Sequence, residues 1–123
     1  MTGVRLKHLR EGTKKVVVEA YGAKINVVYR PLAMSVADQD EYEAMLKDND
    51  YNGALFAFLP KVLKEWDLMD DAPDDAPYEE IPVEITEEAM RDKVPVEILR
   101  KVLMSIMEDL YPNDKKKSSF AAA

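Results

Sequence analysis

Leu55, Phe58, Leu59, Val62, Leu63 and Trp66 recur at i, i+3, i+4, i+7, i+8 and i+11. Side chains at that spacing line one face of an α-helix, and so continuous an apolar face has to be covered by something. Pro60 sits inside the run and lacks a backbone donor, so a kink or a restart is expected there. After Trp66 the character of the chain reverses. Asp70, Asp71, Asp74, Asp75, Glu79 and Glu80 follow, broken by Pro73 and Pro77. That composition predicts an extended, exposed, self-repelling connector over residues 70–85.

Other segments announce themselves by different periods. Residues 16–30 hold two β-branched runs around Tyr21-Gly22, and Ile25, Val27 and Tyr29 alternate with Asn26, Val28 and Arg30. Alternation of this kind is the mark of a half-buried strand, so a β-hairpin is expected, closed by Pro31. Ser35 and Asp38 resemble a capping box at the start of a helix carrying Tyr42, Met45 and Leu46. Thr86 reads as the N-cap of a short helix to Lys93, with Glu87 and Glu88 in its first turn. Pro95 suits the first position of a last helix, whose stripe is Val96, Leu99, Val102, Leu103, Ile106 and Leu110, and Pro112 ends it. The expected fold is α+β and mainly helical, an N-terminal β-hairpin followed by a small bundle of three to four helices. Residues 1–112 form one domain in this reading and residues 113–123 a flexible tail.

Composition narrows the function. At 123 residues the chain has room for one modest core. It has no cysteine, hence no disulfide framework and no thiolate nucleophile, which fits a reducing compartment; a cytoplasmic location is expected. No apolar stretch approaches the roughly 20 residues of a membrane helix, so no membrane partner is expected. The formal charge of −7 is uneven. Residues 1–30 carry seven Lys/Arg against Glu11 and Glu19, while residues 31–114 carry seven against 22 acids. The acidic body repels nucleic acid, and the few N-terminal cations are expected to be solvated.

Chemistry-bearing motifs are sparse. Asp48-Asn49-Asp50-Tyr51-Asn52-Gly53 matches the first half of an EF-hand loop, but the twelfth position, which should bring a bidentate carboxylate, is Leu59. An interhelical turn with Asp50 as the next N-cap explains the same residues. His8 is the single histidine and is expected to be exposed; without cysteine it makes no conventional zinc site. Gly3, Gly12, Gly22 and Gly53 are too scattered to cradle a phosphate. No cofactor, metal or catalytic residue is expected, and the chain does not read as an enzyme.

A helical stripe ordinarily faces a core. Here Phe56, Ile98 and Met104 lie off the main faces, and seven methionines, adaptable at varied apolar surfaces, decorate a small chain. Part of this surface is therefore expected to meet another protein. The candidate partner-binding residues are Leu55, Phe58, Leu59, Val62, Leu63, Trp66, Leu99, Val102, Leu103 and Ile106.

From Tyr29 onward the order of features resembles the tail assembly chaperones of long-tailed, siphovirus-type bacteriophages. The resembling residues are Tyr29-Arg30-Pro31 after a strand, then an acidic helix, and above all Val62-Leu63-Lys64-Glu65-Trp66-Asp67-Leu68. An acidic spacer, residues 81–88 and the closing helix opened by Val94-Pro95-Val96-Glu97-Ile98-Leu99 complete the set, which covers residues 27–117. The spacer is longer than the usual acid-glycine turn of the family, and Pro60 is a second departure. The resemblance implies a chaperone that coats and solubilises the tape-measure protein, helps recruit tail-tube subunits, and is absent from the mature virion. It also implies a frameshifted longer product, and Lys115-Lys116-Lys117 is compatible with a slippery run of adenines. Self-association into a homo-oligomer is compatible with the same role. The competing expectation is a structural virion protein, a tail or connector subunit of similar size.

Overall fold

The computed structural model describes residues 3–70 and 81–111. The expected hairpin is present as β1 (Lys14–Ala20) and β2 (Ala23–Tyr29), paired antiparallel with Ala20 opposite Ala23. Tyr21 and Gly22 alone make the loop, with φ of 52° and 81°. Two left-handed residues in a two-residue loop form a type I′ turn, whose twist matches that of the strands it joins. Val18, Ile25, Val27 and Tyr29 point inward, while Glu19, Lys24 and Asn26 face out.

The apolar stripe is where expectation and structure part. The helix α3 (Tyr51–Val62) ends four residues before Trp66, and Leu63–Trp66 is a strand, β3, that adds to the free edge of β2. The continuous helix to Trp66 is therefore corrected to a helix followed at once by a strand. Leu63 and Trp66 are both buried although they lie three residues apart. In a regular strand that spacing would put them on opposite faces. The pairing explains how both turn inward: Trp66 lies opposite Val27, Glu65 opposite Val28 and Leu63 opposite Tyr29, leaving Lys64 as the extra residue of a bulge. The bulge reproduces the i, i+3 spacing of a helix, so periodicity alone could not separate the two. Pro60 lies inside α3, near its C-terminal end, rather than at a restart.

The remaining caps follow the sequence. Ser35 caps α2 (Val36–Lys47) in a full capping box with Asp38. Asp50 caps α3 by accepting from the Gly53 N–H at 3.0 Å. Thr86 caps α4 (Glu87–Lys93), and Pro95 stands one position ahead of α5 (Val96–Leu110), as its cap. A short helix, α1 (Leu6–Glu11), precedes the hairpin and buries nothing.

The result is two layers. The inner face of the three-stranded sheet, in the order β1-β2-β3, is covered by α5 lying on β1 and by α3, with α2 outside α3. Tyr42 of α2 meets Phe58 of α3 with ring centroids 5.6 Å apart. Each fully buried Leu or Ile of this core contributes about 1.5–3 kcal/mol relative to exposure. Polar contacts also join the layers: the Tyr29 hydroxyl donates to Asp109 of α5, which Lys14 approaches at 3.5 Å.

The acidic connector is only partly as expected. Residues 71–80 lie outside the described part, as does the tail from 112 onward. The return segment is not simply exposed, since Val83 is buried. Met69 bridges Pro82, the Asp70 N–H donates to the Ile81 carbonyl at 2.8 Å and the Val83 N–H to that of Leu68 at 2.8 Å.

Candidate interaction surface

All ten candidate partner-binding residues are in the core. Leu55, Phe58, Leu59, Val62, Leu63, Trp66, Leu99, Val102, Leu103 and Ile106 are each less than 5% exposed. As folded, they pack the interior, and only Phe58 and Val62 reach the floor of an open depression, so the assignment of all ten to a partner-binding surface is corrected on that ground. The physical reason is β3. By leaving the helix, Leu63 and Trp66 widen the sheet by a strand, and the wider sheet together with α5 encloses both stripes.

The segment that most resembles the phage family has a structural task. Trp66 Nε1 donates to the Val83 carbonyl at 2.8 Å inside the core. Asp67 accepts from the Asn26 backbone N–H at 2.7 Å and from its side-chain amide at 2.6 Å, while the Asp67 N–H donates back to the Asn26 carbonyl at 3.1 Å. The carbonyl of Leu68 accepts from Val83. Trp66-Asp67-Leu68 thus ties β3 to β2 on one side and to the return segment on the other.

Apolar surface does remain open, at a place the periodicity did not mark. Pro31 stops β2, residues 30–33 turn, and the Ser35 cap starts α2 with Val36 on its outer side. Leu32, Val36 and Tyr111 are 57%, 79% and 46% exposed. They rim an open cleft of about 450 Å³ that reaches down to Phe58 and Val62 between the start of α2 and the end of α5. Met34 and Leu110 complete its apolar lining, and Arg30 stands at its edge. Arg30 is fixed there by two bonds, its backbone N–H to the Val62 carbonyl at 2.7 Å and Nη1 to the Leu63 carbonyl at 3.0 Å. The signal that could have found the cleft is the cluster Arg30-Pro31-Leu32-Ala33-Met34, an apolar loop where a polar one is usual.

Nearby charge is organised by Asp38. It accepts from Lys61 Nζ at 2.7 Å and from the Ser35 N–H at 3.0 Å. The Lys61 ammonium first, and the Ser35 bonds second, hold its carboxyl down at about 2. Burial, with Glu43 beside it, pushes the Tyr42 hydroxyl up to about 12. Both shifts have structural causes.

The half EF-hand motif is an interhelical turn. Asn49 takes φ of 59°, Asp50 caps α3, and no group of His, Asp or Glu suited to a metal ion occurs among the described residues. His8 is exposed on α1. Among the described residues no helix is long and apolar enough to cross a membrane. Comparison with family models, with curated proteins and with solved structures gave no match for the chain.

Proposed function

We propose that the chain is a non-catalytic assembly chaperone of a long-tailed bacteriophage, binding apolar helical segments of the tape-measure protein and assisting tail-tube recruitment. The observation that carries the binding half of this reading is the open apolar cleft rimmed by Leu32, Val36 and Tyr111. A chain of formal charge −7 that nevertheless exposes clustered apolar groups is suited to cover a greasy client while its acidic surface keeps coated clients apart. The tail-assembly half rests on the ordered resemblance described above. Each contact can be weak, because many copies on one long client act together.

Co-expression with the tape-measure protein of a long-tailed phage that encodes this chain tests the reading. The chaperone reading expects the client to move from the insoluble to the soluble fraction and to copurify with this chain. It also expects mass spectrometry of purified particles to miss the chain. An insoluble client, or this chain at structural copy number in finished particles, overturns the proposal; the second outcome favours a tail or connector subunit.

A further inference from the structure

Arg30 belongs to two depressions at once. On one side it edges the apolar cleft, and on the other it lines a pocket of about 400 Å³ with Lys7, Arg10 and Lys61. Lys7 Nζ lies 4.0 Å from Glu11, and Lys61 is paired with Asp38. Arg10 has no hydrogen-bond or ion-pair partner among the described residues. Four cations against two carboxylates leave a positive balance on a chain that is otherwise strongly acidic.

We infer that cleft and pocket form one dock for an acidic amphipathic segment of a protein partner, its apolar side chains in the cleft and its carboxylates over Arg30, Arg10 and Lys7. The inference rests on the reading that the chain binds apolar segments of another protein, and it adds what that segment must carry. An apolar slot by itself accepts any greasy side chain of the right size. A cationic seat beside it discriminates, since a carboxylate is paired there and a lysine is opposed. The number of cations also matters. A single-headed amphiphile such as a fatty acid satisfies one of them, whereas a segment with several carboxylates engages the set. A nucleic acid would bring enough phosphates but nothing to fill the cleft, and the acidic body repels it.

The absence of cysteine makes the test direct. A fluorophore on Val36→Cys of the full-length chain reports occupation of the cleft. The probes are a Leu/Glu amphipathic helical peptide, its Leu/Lys counterpart, a Ser/Glu peptide, oleate and a single-stranded DNA oligomer. The Leu/Glu peptide is expected to bind roughly fivefold or more tighter than the Leu/Lys peptide, and the preference to fade with salt. The exposed pair Lys7→Glu and Arg10→Glu is expected to abolish the preference while leaving the melting temperature unchanged. Equal binding of the two leucine peptides overturns the inference but leaves the chaperone reading standing. No binding of any peptide overturns both. Tighter binding of Ser/Glu peptide, oleate or DNA overturns the inference, as does a signal set by protein concentration alone, which would put a second copy in the cleft.

Discussion

Trp66 holds its place by a hydrogen bond as well as by its size. Replacing it with Phe keeps most of the apolar contact but leaves the buried Val83 carbonyl without the indole N–H that now reaches it at 2.8 Å. The expected loss is about 1–3 kcal/mol of unfolding free energy, measured by urea titration, because an orphaned buried acceptor costs more than the net value of the bond. Three ionisable residues couple the fold to pH. Asp38 is held at about 2, below its ordinary 3.8, by Lys61 and Ser35. A carboxyl that binds its proton less readily when folded contributes fully above its unfolded value and loses that contribution as pH falls toward 2. Asp38→Asn is therefore expected to flatten the acid side of the melting-temperature profile in that window. Tyr42 is pushed the other way, up to about 12 by burial, and Tyr29 is raised too, by burial and by Asp109. The folded state keeps both hydroxyls neutral, so their contribution is complete below the ordinary value of 10.0 and is lost as pH rises through the folded value. Tyr42→Phe is expected to reduce the fall in melting temperature above pH 10.0, and an unchanged alkaline slope would contradict the assignment.

At the scale of elements, the passage from α3 to β3 decides how the core closes. Lys64 is the unpaired residue of the bulge, and deleting it would place Leu63 and Trp66 two apart in a regular strand, still on one face. The deletion is expected to fold, with a cooperative thermal transition. Glu65→Pro removes the backbone N–H of a residue paired with Val28 and is expected to lower the melting temperature by breaking the β2-β3 ladder. The same junction explains what was legible in the sequence. The hairpin, the Ser35, Asp50 and Thr86 caps and the last helix were readable because each rests on local chemistry, a turn pair or a side-chain cap. The strand at Leu63 was not, since only pairing with β2 distinguishes a bulged strand from one more helical turn. Val83 was hidden for a related reason: its burial depends on Trp66 and Leu68, distant in sequence, not on its acidic neighbours.

For the whole molecule, the greasy residues expected at a partner lie in the core, and the apolar surface left open is elsewhere. The stripes expected to meet a partner are enclosed by the sheet and its helices, so Leu103→Asp or Leu63→Asp is expected to unfold the chain rather than to impair binding alone. What stays open is set by where β2 stops, where α2 starts and where α5 ends, a juxtaposition no single segment encodes. The charge map follows the same logic. The basic first thirty residues bring Lys7 and Arg10 beside Arg30 and Lys61, while the rest of the chain carries the acid. The most direct measurement of the account is client solubilisation by the double variant Leu32→Asp and Val36→Asp, compared with the unmodified chain at equal expression. Both positions are exposed, so the variant is expected to melt at an unchanged temperature and yet leave the client insoluble. A folded double variant that keeps the client in solution as well as the original would contradict the cleft as the binding surface.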